Sequence, residues 1–129
     1  MVRSGMIRRL SCALLLAALG TQVAAFPLSP SQRAEAFATC AGRYAAYAVH
    51  SSDRLNTDKR LFDDLLEAVM PAAVAYGMPR SHVASMKFQA WLDHSSLHND
   101  ASYATDPGRK ARAAARLARD MAECDALVL

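Results

Sequence analysis

Beyond residue 25 the chain contains no isoleucine and only five valines. That scarcity of β-branched residues disfavours a sheet. Neither Cys-x-x-Cys nor Cys-x-x-Cys-His occurs, so thioredoxin-type chemistry and covalent c-type haem lack their motifs. Gly-x-Ser-x-Gly, a phosphate-cradling glycine loop and a nucleotide fingerprint are missing too. Acidic residues concentrate only between Asp53 and Glu67, spread round a helix rather than converging. The sequence therefore predicts a protein that is not an enzyme and needs no cofactor.

What is present fits one ordinary domain. The length is 129 residues, of which 53 % are hydrophobic and 21 % charged, a balance that excludes wholesale disorder. Residues 1–25 have the layout of a secretory signal. Arg3, Arg8 and Arg9 form a basic start, Leu10 to Leu19 is apolar, and Val23-Ala24-Ala25 places small residues before a cleavage point. The apolar run is too short to span a hydrocarbon core of about 30 Å, so no stable membrane insertion is expected after cleavage. Removal of this segment predicts export to the periplasm or beyond, and a single helical domain over 26–129. It leaves twelve basic and twelve acidic residues. The neutral balance removes the charge argument for nucleic-acid binding.

Cys40 and Cys124 remain after cleavage. Two cysteines in an exported chain predict one disulfide. Closing a loop of that length contributes about 4 to 5 kcal/mol in the chain-entropy model.

Twenty-two of the residues after position 25 are alanine, which favours helix. Ser29-Pro30-Ser31-Gln32 predicts a capped start for a first helix to about His50, with Ala34, Phe37, Ala41, Tyr44 and Ala48 as its stripe and Cys40 on the flank. A second helix is expected from Thr57 to a left-handed cap at Gly77, interrupted by Pro71. Its buried face is predicted as Leu61, Phe62, Leu65, Val69, Ala72 and Tyr76. A third runs from Pro79 or Ser81 to about His98. After a connection over Asn99 to Thr105, Asp106-Pro107 starts a fourth, with Leu117, Met121, Cys124 and Val128 inward. Short connections favour antiparallel neighbours, so the fold class is all-α: a four-helix up-down bundle stapled by one disulfide.

Three features carry candidate chemistry. The third helix is apolar over a wide arc that includes Phe88, Trp91 and Leu92. Burial is the more economical expectation for it, and a partner-binding strip the alternative. His94 and His98 stand at i, i+4 and offer two imidazoles to one metal ion. Two ligands do not close a site, and a third would have to come from His50, His82 or an acid elsewhere. The pair is therefore not expected to bind metal tightly; one buried, hydrogen-bonded ring and one exposed ring at a helix end are expected instead. Arg109, Arg112, Arg116 and Arg119 line one side of the fourth helix, a solvated face expected to pair with Asp63, Asp64 and Glu67 or to meet an acidic partner. Cys40-Ala41-Gly42-Arg43 is notable but indicates no mechanism.

The leading expectation is a small exported helical protein that binds another envelope or secreted protein through helix three or the arginine stripe. The alternatives are an envelope metal-binding module using His94 and His98, and a small stress chaperone whose four histidines report acid pH.

Overall fold

A capping box opens the first helix. The Ser29 hydroxyl accepts from the Gln32 backbone N–H at 3.2 Å, and Gln32 Oε1 accepts from the Ser29 N–H at 2.9 Å. The computed structural model describes residues 28–51 and 57–129; the segment expected to act as a secretory signal and the connection before Thr57 lie outside the described residues. The described chain forms α1 (Pro30–His50), α2 (Thr57–Ala75), α3 (Arg80–Tyr103) and α4 (Pro107–Asp125), with no strand among the described residues.

Local chemistry accounts for the ends. Gly77 takes the left-handed conformation, φ 89°, and its N–H donates to the Val74 carbonyl while the Met78 N–H donates to that of Ala73. This is a Schellman stop, sealed by Met78 and Ala73 in a common apolar cluster. Pro71 stays within α2, on its exposed side. α3 continues to Tyr103, past the expected end near His98, because nothing between Asn99 and Tyr103 breaks it. Ala104 to Asp106 suffices as the connection, and the Asp106 carboxylate caps α4 by accepting from the Arg109 N–H at 2.8 Å.

Successive helices alternate in direction. Tyr44 meets Phe62, while Ala34 and Ala38 share a cluster with Met70 and Ala73, which makes α1 and α2 antiparallel. α1 and α3 are parallel. Glu35 meets His82, Gly42 abuts Ala90 and Trp91, and His50 stacks on His98, so one register holds along the pair. α4 returns antiparallel to both: Asp120 lies by Arg43 and His94, and Asp100 by Arg109. The Cys40–Cys124 disulfide, with Cα atoms 5.6 Å apart, joins the first half of α1 to the end of α4.

The tightest contact is between α1 and α3, which are not neighbours in sequence. Small residues on α1 allow it. An ideal Cβ at Gly42 would sit 2.2 Å from the Lys87 carbonyl oxygen, so α3 approaches to backbone distance there. α2 packs mainly along α1, and α4 mainly along α3.

Several expected core faces are corrected. α2 buries Phe62, Leu66, Met70 and Ala73, while Leu61, Ala72 and Tyr76 are exposed and Leu65 and Val69 sit at the edge. The helix has apolar residues on two adjacent arcs, and the alanine-rich side of α1 accepts the arc with Phe62 and Met70. α1, as the central helix, buries Cys40, Gly42 and Ala46 as well as Ala34, Ala41 and Tyr44. Val128 is exposed because the helix has ended at Asp125.

Candidate functional site

α3 is not the buried helix its composition implied. Only Val83 and His94 are buried on it. Phe88 is 55 % exposed and Leu92 39 %, because α1 and α4 contact the opposite side of the helix. Trp91 is half-buried, and its ring stacks on Phe88 with centroids 5.9 Å apart. The pair borders a groove of about 260 Å³ whose other walls are Gly42, Ala45, Ala84 and Lys87. The absent side chain at Gly42 lets α3 close up against α1 along this groove. Phe88, Trp91 and Leu92, predicted as one surface, are thus brought together and face outward.

The opposite side of α3 carries charge. Asp120 stands in the inward stripe of α4, with its side chain 7 % exposed. Its Oδ2 lies 3.2 Å from His94 Nε2, 3.5 Å from Arg116 Nε and 3.9 Å from Arg43 Nη2, and its Oδ1 lies 3.7 Å from Arg119 Nε. Arg43 also donates to the Asp120 carbonyl at 3.0 Å and to Glu123 at 3.3 Å. The segment Cys40 to Arg43 thereby acquires physical meaning: disulfide, close helix approach, and counter-charge to α4. A cleft of about 290 Å³ opens beside this network, lined among others by Arg43, Gln89, Asp93, His94, Arg116 and Asp120.

The arginine stripe is corrected in its partners. Arg109 pairs with Asp100 at 2.9 Å, Arg112 with Asp106 at 3.9 Å, and Arg116 and Arg119 with Asp120. Among the described residues none of these arginines pairs with α2, where Asp63 pairs with Lys87 instead. The bundle lays α4 along α3, so the acids of α3 and α4 are the nearer ones.

His94 is buried and bonded, as expected, but His98 is half-buried rather than exposed, since α3 continues past it. The two rings meet edge-on at 6.1 Å, and His50 stacks on His98 at 5.1 Å. Burial lowers the His94 pKa; the Asp120 hydrogen bond opposes this without overcoming it. His98 is pushed down to about 4 by burial, with His50 and His94 adding in the same direction. Both rings are neutral at neutral pH.

Arg43 and Asp120 were not singled out as functional from the sequence, and His50 was named only as one source of a third ligand beside His94 and His98. For Asp120 a signal was there: it falls three residues after Leu117 and four before Cys124, which puts a carboxylate on the apolar side of a helix. Among the described residues, no helix is long and apolar enough to cross a membrane. No family model, curated protein or solved structure matches the chain.

Proposed function

We propose that this chain is a small exported helical protein that acts by binding, without catalysis, to another envelope or secreted protein through the outer face of α3. The observation that carries the reading is the exposure of Phe88 and Leu92 beside a half-buried Trp91. Aromatic side chains that stay in water on a folded monomer are the residues enriched at the centres of protein interfaces. The groove bordered by Phe88 and Trp91 suits an apolar or aromatic side chain of the partner. The arginines of α4 make a poorer anchor, because each already has a carboxylate within 4 Å. The basic, apolar and small-residue sequence of positions 1–25 supports export.

A photoreactive phenylalanine analogue at position 88, introduced in the producing cells, tests the surface. It should cross-link one polypeptide that also co-purifies with the wild-type chain. Capture should be lost in Phe88→Ala and Leu92→Ala, whose melting curves stay close to wild type, and persist in Arg112→Ala. Absence of a specific adduct, or capture indifferent to Phe88 and Leu92, refutes this face as the contact. N-terminal sequencing of exported material should begin at Phe26, and retention of residues 1–25 refutes processing.

A further inference from the structure

The charges around Asp120 do not balance. Three guanidiniums, those of Arg43, Arg116 and Arg119, stand 3.9, 3.5 and 3.7 Å from its carboxylate oxygens. None of the three donates a hydrogen bond to those oxygens; the hydrogen bond they accept comes from His94 Nε2 at 3.2 Å. Glu123 is the other acid of the group, 3.3 Å from Arg43 Nη1. Three cations against two anions leave one positive charge in excess.

That excess faces the cleft of about 290 Å³ between α1, α3 and α4, which Arg43 and Arg116 both line. Arg43 is held in place, its side chain 18 % exposed. Its Nη1 donates to the Asp120 carbonyl and to Glu123, leaving Nη2 without a hydrogen bond among the described residues. Asp93 lines the same cleft from α3 and has neither an ion pair nor a hydrogen bond among the described residues. One cleft therefore presents an unmatched cation and an unmatched carboxylate that do not pair with each other. Met86, Gln89 and Ala90 add an uncharged wall.

We propose that this cleft binds a free α-amino acid with an uncharged side chain. The ligand carboxylate lies between Arg43 and Arg116, brings the local balance to three cations and three anions, and accepts from their free N–H groups. Its ammonium meets Asp93, and its side chain lies along Met86 and Ala90. A simple anion would satisfy the arginines but confront Asp93, and a simple cation would confront the surplus guanidinium. A ligand carrying both charges close together matches both. The Asp120 carboxylate steadies Arg116 without using up its five N–H donors, so the guanidinium remains able to bind. The volume stands at the lower end of small-molecule sites, which run from about 300 to 1,000 Å³. The cleft lies across α3 from Phe88, so this proposal and the Phe88 contact fail or stand separately.

The test is calorimetric titration of the dialysed, oxidised chain at neutral pH with leucine, methionine and glutamine. At least one should bind, one molecule per chain, with a Kd of about 10–100 µM. Asp93→Asn and Arg116→Gln should each weaken it by about tenfold, the effect of one partly exposed charge-assisted hydrogen bond. Both residues are exposed, so the variants stay folded, and circular dichroism confirms this for each. The N-acetyl derivative of the bound amino acid lacks the ammonium; it should bind about tenfold more weakly and be indifferent to Asp93→Asn. The carboxamide lacks the carboxylate; it should lose about as much and be indifferent to Arg116→Gln. Arg112→Gln, outside the cleft, should change nothing. Binding of all three amino acids weaker than about 1 mM overturns the site, as does binding that survives both charge variants. An N-acetyl derivative that binds as tightly as the free amino acid overturns it too, because only an anion site would then remain.

Discussion

Replacing Gly42 with alanine puts the contact between α1 and α3 to a test of sign. On an exposed helix the change stabilises by about 1 kcal/mol, since alanine is the better helix former. At Gly42 the new Cβ would meet the Lys87 carbonyl oxygen at 2.2 Å, the Ala90 Cβ at 2.9 Å and the Trp91 nitrogen at 3.0 Å. A carbon–oxygen contact normally settles near about 3.3 Å, so α3 must withdraw by about 1 Å over this turn. Two of the three atoms are backbone and cannot step aside by changing rotamer. Overpacking of this kind costs about 1–3 kcal/mol or more, and the rigid neighbours place it at the upper end. Net of the propensity gain, Gly42→Ala should lose about 2 kcal/mol and lower Tm by roughly 10 °C in a domain of this size. Urea unfolding of the oxidised protein gives the value. Gly108→Ala is the control: its new Cβ meets only side-chain atoms, the closest being Arg112 Nη1 at 3.1 Å, and it should be neutral or slightly stabilising. A Gly42→Ala protein as stable as wild type would refute the backbone-distance packing of the two helices.

Acid should weaken the fold through His98. Its folded pKa of about 4 lies below the ordinary 6.5, so the unfolded chain takes the proton first as pH falls. The stability from neutral His98 is complete above pH 6.5 and lost progressively toward pH 4, by at most about 3 kcal/mol. Urea midpoints across that range should fall less steeply in His98→Leu; equal slopes would contradict this. Reducing the Cys40–Cys124 bond should cost about 4 to 5 kcal/mol, read as the shift in urea midpoint with and without reductant. Asp120→Ala should cost about 3 kcal/mol, since it strips Arg43 and His94 of their buried counter-group. Phe88→Ala should change stability by less than about 1 kcal/mol because the ring is more than half exposed.

The start of α1, the end of α2 and the start of α4 were legible because each rests on short-range chemistry: Ser29 with Gln32, Gly77 with φ 89°, Asp106 with the Arg109 N–H. The end of α3 was not, since Asn99 to Tyr103 carries neither a breaker nor a strong propensity. Periodicity also failed to choose the buried arc of α2. Leu65 and Leu66 are adjacent and equally apolar, and only the shape of α1 decides between them. His94 and His98 could be paired by their spacing, whereas His50 joins them only through the helix register. Asp120 was obscured by its own neighbours, because Arg116 and Arg119 make it read as one more exposed charge.

α4 is anchored unlike the other three helices. Its buried residues are Ala113, Asp120 and Cys124, of which only Cys124 joins an apolar core cluster, with Met121 packed beside it. Its remaining attachments are polar: Tyr44 to Asp125, Arg43 to Asp120 and Glu123, and Asp100 to Arg109. The fourth helix is therefore fastened by one covalent bond and a set of charges, while α1, α2 and α3 share the larger apolar cluster. Without the Cys40–Cys124 bond, α4 would be held by its packing along α3 and by these polar contacts, so oxidation should contribute most to fixing this fourth wall. The covalent tie between α1 and α4 can be completed only in a compartment that makes disulfides.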